Sequence, residues 1–381
     1  MRNNVMTLDR CWRYCRPKIP VSDDNYQQVP RNTILVGDAL DQLRRLPSSS
    51  VDCCVTSPPY YLLRDYGVSG QLGLETHVED WMHQLRAVVN EVGRVLKATG
   101  SLWLNLGDSF SRSKRLGAPP KSLLLAPERL LLALSRDGWI VRNKVIWAKP
   151  NPMPHSVRDR LNTAYENVFF LVRSPKYYFA LDEIRQPHRS TTRPSPTRRT
   201  KYDDGDRRWA GPLAGSNAGL ARAHAEGRSG HPLVGNPGDV WQLATGGYRG
   251  AHFATFPERL VVRPLLATCP DRICDRCQRP WQRDVEEVTL GERRPADRDA
   301  FHRRYSSRWQ VIRRLGALRP ACGCDTCWHP GVVLDPFFGS GTVGAVAEAH
   351  HRDWVGIELN PEYATLAQQR IRFARRDRLA A

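Results

Sequence analysis

Residues Val51–Tyr61 set chemistry-bearing groups at the end of an apolar run. Val51, Cys53, Cys54 and Val55 read as a buried parallel strand, and Thr56-Ser57-Pro58-Pro59-Tyr60 leaves its end. Proline fixes φ and carries no N–H, so the turn is rigid. It can present a hydroxyl (Ser57), a carbonyl (Pro58) and a ring (Tyr60) to a flat polar ligand. Such acceptors suit an amino group conjugated to a ring. That nitrogen is a poor nucleophile until its lone pair is drawn out of conjugation, and acceptors on its two hydrogens do this. Most Pro-Pro turns are only turns, so the reading needs a second motif.

Val332–Thr342 (VVLDPFFGSGT) followed by Trp354–Tyr363 (WVGIELNPEY) provides it. Val332–Leu334 reads as a strand, Gly339 and Gly341 as a turn where backbone can approach a ligand, and the Ala- and Val-rich stretch beyond as a helix. About twenty residues later a second apolar strand ends in Glu358, the spacing at which an acid accepts hydrogen bonds from ribose hydroxyls.

Together the two units resemble the beta-class amino-methyltransferases of DNA, whose Ser-Pro-Pro-Tyr loop precedes the segment for S-adenosylmethionine (SAM). Further segments follow in that family's order: Asn32–Asp38, Gln71–Glu75, Gly100–Asp108, Lys144–Pro154 with Tyr165–Arg173, and His252–Glu258. The resemblance implies an α/β fold, a Rossmann-like SAM-dependent methyltransferase sheet with an inserted target-recognition region and a small Cys-rich module. It implies catalytic roles for Ser57, Pro58, Pro59 and Tyr60, with Tyr60 stacking on a base flipped out of the duplex. For the cofactor it implies Asp38 near adenine, Glu358 on the ribose and Asp335 near the methionine part. Thr56, Phe337, Phe338, Gly339, Ser340, Gly341, Thr342, Leu359 and Asn360 complete that wall, flanked by His252, Phe253 and Thr255. Each also has a structural reading: Asp335 or Glu358 can cap a helix, and Phe338 can fill core.

Ser at the head of the loop resembles the branch that methylates cytosine N4. Relatives acting on adenine N6 mostly carry Asp or Asn there, and that remains the alternative, with an inactive DNA-binding protein of the same fold further off. Cys53 and Cys54 lie within the strand with no Pro-Cys motif, which argues against a covalent thiolate attack on cytosine C5. The expected partner is double-stranded DNA, with a cognate restriction endonuclease as a further partner unless the enzyme is an orphan.

The elements that must position these groups alternate. From Asn32 to Arg173 short apolar strands and helical segments (Val78–Leu96, Leu123–Ser135) predict a parallel sheet with crossover helices. Neither this stretch nor the C-terminal one has enough strands alone, so the two must share one sheet. The segments are an N-terminal arm (1–31), the catalytic half (32–185), a target-recognition region (186–250), the SAM half (251–268 with 330–381) and a Cys-rich insertion (269–329). The recognition region is rich in Arg, Gly, Pro and Ser without a period. Tyr202, Arg207, Arg208 and Trp209 there could track phosphates and base edges.

In the insertion, Cys274 and Cys277 form a C-x-x-C pair answered by Cys322, Cys324 and Cys327. Two pairs can place four thiolates around a structural Zn²⁺. Cys274, Cys277, Cys322 and Cys324 are favoured, with Cys327 as the alternate for one of the last pair and Cys269 and His329 as lesser candidates. Between the pairs, Arg303–Arg319 reads as a basic helix that faces phosphates or solvent.

Charge fits a polyanionic partner: 57 Lys and Arg against 39 Asp and Glu give +18, and such an excess favours phosphate contacts and counterion release. No apolar stretch of membrane-spanning length and no signal peptide is found. The expectation is a cytoplasmic protein of a bacterium, archaeon or phage, with no membrane partner and with ten Cys used as buried thiols or metal ligands rather than disulfides.

Overall fold

The computed structural model describes residues 29–154, 156–187, 234–245, 256–290 and 310–380. Residues 1–28 of the expected N-terminal arm, most of the recognition region and residues 303–309 lie outside them.

Strands from the N-terminal and C-terminal stretches of the described chain build one sheet. Its strands are β1 (Thr33–Val36), β2 (Val51–Thr56), β3 (Leu96–Leu106), β4 (Ile140–Ala148), β5 (Tyr165–Val172), β8 (Val240–Gln242), β13 (Val332–Asp335) and β14 (Asp353–Glu358), in the order β1-β14-β13-β2-β3-β5-β4-β8. All neighbours are parallel except the β3–β5 and β5–β4 pairs, so β5 alone runs backwards. The central strands β2 and β13 are buried along their whole length, as expected of strands covered on both faces.

Helices α1 (Ala39–Arg45), α2 (Val78–Val95) and α3 (Ala126–Arg136) pack on one face with Leu43, Trp81, Leu85 and Leu130 in its core. Helices α4 (Glu258–Thr268), α5 (Thr342–Ala349) and α6 (Pro361–Ala380) cover the other with Leu260, Val346 and Ile371. α2 shows why the pattern folds this way. Its buried positions Val78, Trp81, Met82, Leu85, Val88, Val89 and Val92 recur three and four apart, and the His77 ring caps its start by accepting from Glu79 N–H at 3.2 Å.

β13 and β2 are neighbours joined to opposite halves of the sheet: the chain leaves β13 toward β14 and leaves β2 toward β3. That reversal opens a crevice at the carboxyl ends of the strands, where open α/β sheets bind ligands.

Residues 1–180, 238–281 and 320–381 form one compact unit; residues 181–237 and 282–319 form another. Two short strands of the first unit, β9 (Ile273–Cys274) and β12 (Trp328–His329), pair antiparallel. In the second unit β6 (Gln186–Pro187) pairs with β7 (Val234–Gly235), and β10 (Gln282–Leu290) with β11 (Gln310–Arg319). The helix expected over Arg303–Arg319 is therefore corrected for its described part, which is a strand. Its register sets Arg313 opposite Glu287 and Arg314 opposite Glu286, a pairing invisible without the partner strand. Among the described residues no helix is long and apolar enough to cross a membrane.

Candidate active site

A cavity of about 450 Å³ opens over the ends of β2, β13, β14 and β1, a size suited to a small ligand. Among its lining residues are Asp38, Ser57, Pro59, Phe337, Phe338, Gly339, Ser340, Thr342, Glu358, Leu359 and Asn360. Thr56, Pro58 and Asp335 are buried beneath it. His252, Phe253 and Thr255 lie outside the described residues.

Two acids stand at the ends of β14 and β13 beside the cavity. Glu358 ends β14 and accepts from Gly339 N–H at 2.6 Å and Asn360 N–H at 2.9 Å, so it ties the glycine turn to the sheet. Burial raises its pKa. Asp335 ends β13 and accepts from the Thr56 hydroxyl at 2.6 Å and Phe337 N–H at 3.0 Å through one oxygen. Its other oxygen is buried and has no hydrogen-bond partner among the described residues. Burial, against the pull of the Thr56 and Phe337 hydrogen bonds, pushes the Asp335 pKa up to about 7. A polar ligand, above all a cationic one, fits that orphaned oxygen.

The remaining turn residues combine lining with support. Gly341, at φ 75°, starts α5, where a side chain would meet Ala367 at 2.9 Å. Arg370 donates to the hydroxyls of Ser340 and Thr342 at 3.1 and 3.0 Å. Phe338 stacks on Trp354 with centroids 5.2 Å apart, and Asp38 caps α1 by accepting from Asp41 N–H at 3.0 Å. The structural readings of Phe338 and Asp38 thus coexist with their places on the cavity wall.

The Pro-Pro turn is held from several sides. Trp81 Nε1 donates to the Pro59 carbonyl at 3.0 Å. A Cβ at Gly107 would stand 2.8 Å from the Tyr60 ring, and one at Gly73 2.9 Å from the Tyr60 carbonyl. The Tyr60 hydroxyl donates to Glu166 Oε2 at 2.6 Å and stands 3.2 Å from Ser57 Oγ. Asn105 Nδ2 is shared among Tyr60 Oη, Glu166 Oε2 and Ser57 Oγ at 2.7, 2.9 and 3.3 Å, and Lys149 pairs with the other Glu166 oxygen. Burial and the neighbouring Glu166 carboxylate push the Tyr60 pKa well above its ordinary value.

Asn105, Lys149 and Glu166 were not singled out in the sequence. The signal for Asn105 is a polar residue inside the run Leu102–Leu106; the other two lie on β5 and just past β4, brought together only by strand pairing. Cys53 and Cys54 are buried in β2, and burial pushes the Cys53 thiol up to about 12, which fits core thiols rather than nucleophiles.

A crevice at the switch point of a mostly parallel sheet, a glycine turn braced by an acid and a rigid hydroxyl-bearing loop define a Rossmann-like transferase that binds a nucleotide-type cofactor. A model of the DNA methylase family matches residues 51–273 and 327–369. The type II methyltransferase M.XycI of Xanthomonas campestris pv. cyanopsidis is 34% identical over 362 residues, covering 89% of this chain and 87% of that protein. M.SfiI of Streptomyces fimbriatus is 48% identical over 171 residues, covering 42% of this chain and 41% of its own. Among solved structures, the PvuII DNA methyltransferase (cytosine-N4-specific) shares the fold at a TM-score of 0.52 and 17% identity, covering 90% of this chain and 87% of that one. The chain belongs to the N6/N4 DNA methylase family of beta-class amino-methyltransferases and is a SAM-dependent DNA methyltransferase.

Proposed function

We propose that the chain is a site-specific methyltransferase acting on the exocyclic N4 amino group of cytosine in duplex DNA, as the modifying partner of a type II restriction system in the cytoplasm. The observation that carries this reading is Ser57, a hydroxyl at the head of the Pro-Pro turn, on the cavity wall and backed by a hydrogen-bond chain. The restriction context is supported by similarity to M.XycI and to M.Cfr9I of Citrobacter freundii, both named type II methyltransferases. Adenine N6 is the alternative base.

In this reading Asp38, Glu358, Asp335 and the turn Phe337–Thr342, with Leu359 and Asn360, hold SAM. Asp38 and Glu358 take its adenosine and Asp335 its methionine end, while Thr56 steers Asp335. SAM supplies an electrophilic methyl on sulfur. The chain's residues supply orientation. Tyr60 donates to Glu166 and Asn105 donates to Tyr60 and Ser57, so the Ser57 proton turns toward Tyr60 Oη. One lone pair of Ser57 Oγ is then left for an amino hydrogen of the flipped base, with the Pro58 carbonyl as the second acceptor and the Tyr60 ring as the stacking surface. When the nitrogen gains its methyl group it sheds a proton to Ser57 Oγ. The Ser57 proton passes to Tyr60, and the Tyr60 proton passes to Glu166, which Lys149 pairs.

Ser57→Ala is expected to keep SAM affinity while transfer falls about 100-fold or more. Glu166→Gln acts through Tyr60 and lowers kcat with the KM for SAM unchanged. Full activity of S57A in a single-turnover methyl-transfer assay would remove the proposed role.

A further inference from the structure

Outside the cavity, four thiols from two distant pieces of chain converge beside β9. The Sγ atoms of Cys274, Cys277, Cys322 and Cys324 all lie within 4.8 Å of one another. We propose that these four cysteines hold a structural Zn²⁺ ion that ties the Cys274–Cys277 turn to the Cys322–Cys324 segment within the first unit.

The donor set fits. Sulfurs about 2.3 Å from a tetrahedral zinc stand about 3.8 Å apart, so the four need close by only about an ångström. Four protein ligands with no open position define a structural site rather than a catalytic one, and an all-sulfur tetrahedron selects zinc over the hard cations.

Backbone hydrogen bonds shape the knuckle. Cys274 N–H donates to the Arg279 carbonyl at 3.0 Å and Gln278 N–H to the Cys274 carbonyl at 2.9 Å, forming a tight turn. The second pair is delivered by the β9–β12 ladder, which sets Cys274 opposite Trp328 and Ile273 opposite His329. Asp275 N–H also donates to the Cys327 carbonyl at 3.0 Å. Arg272 lies over both Trp281 and Trp328, at 5.1 and 4.4 Å from their ring centroids.

The alternates sort themselves out. Cys327 is exposed and outside the four, Cys269 is buried near Cys53, and the Nδ1 of His329 is 2.5 Å from Asp275 Oδ1. The knuckle is anchored to the catalytic sheet: Gly331 N–H donates to the Pro270 carbonyl at 3.0 Å just before β13, and Arg352 bonds the Cys269 carbonyl at 3.1 Å and Asp271 at 3.2 Å. The DNA methylase match stops at residue 273 and resumes at 327, so the tetrad is an addition to the family frame.

Elemental analysis of the purified full chain should find about one zinc per chain. Cobalt(II) exchanged into the same protein should give the intense visible bands and thiolate charge-transfer absorption of a four-thiolate tetrahedral site. Cys327→Ser should keep both the metal content and that spectrum. Cys277→Ser should lower the metal content and change the spectrum. If C277S does not fold, the wild-type cobalt spectrum decides alone. A folded wild-type chain without metal whose thiols react equally with and without a chelator would overturn the site. Loss of metal in C327S, with C324S retaining it, would overturn the ligand set.

Discussion

The hydroxyl of Ser57 gains its meaning from residues far away in sequence. Asn105 donates toward it from β3, and Glu166 on β5 fixes the amide orientation, because a reversed amide would set oxygen against carboxylate. The loop stood out in sequence only beside the second motif, since a Pro-Pro turn alone is usually just a turn. Its support did not, because strand pairing rather than spacing assembles it. Asp335 makes a second prediction at this scale. Its pKa is raised, so in the ligand-free fold ionisation is disfavoured: its contribution to stability is full below the unfolded carboxylate pKa and declines as pH rises toward about 7. A cationic ligand prefers the ionised form. SAM should therefore bind roughly tenfold tighter at pH 8 than at pH 6 by titration calorimetry, and Asp335→Asn should flatten that dependence. Equal affinity at both pH values in the wild type would contradict the placement of a cationic group beside Asp335.

At the scale of elements, the site depends on how closely β14 approaches the glycine turn. Gly356 lets the Phe338 ring lie against the sheet, where an added Cβ would meet ring carbons at 2.4 Å, and Phe338 then stacks on Trp354. Gly356→Ala is expected to destabilise the fold by about 1–3 kcal/mol through overpacking, read as a lower denaturant midpoint at constant m-value. An unchanged midpoint would show that Phe338 has room to retreat. The buried strands, the helices Val78–Val95 and Ala126–Arg136 and the strand–turn–helix of the second motif were legible because their apolar periods are strong. The β11 strand was not. Arg313 and Arg314 suit a solvated helix as well as a hairpin, and only the register with Glu286 and Glu287 separates the two. The eighth strand, Val240–Gln242, is too short to announce itself and is defined by its pairing with β4.

At the scale of the molecule, two distant stretches of sequence share one sheet, and a hydrogen bond from Thr56 to Asp335 joins them across 279 residues. A net charge of +18 accompanies a reaction on a polyanion. Binding of duplex DNA should weaken steeply with salt, with log K falling linearly against log salt concentration; a flat salt response would remove charge from the account of DNA binding. The most direct test of the central claim is transfer of a tritiated methyl group from SAM into unmodified duplex DNA, followed by nucleoside analysis of the digest. The account predicts N4-methylcytosine as the labelled nucleoside. Label in N6-methyladenine, or in 5-methylcytosine, would contradict it.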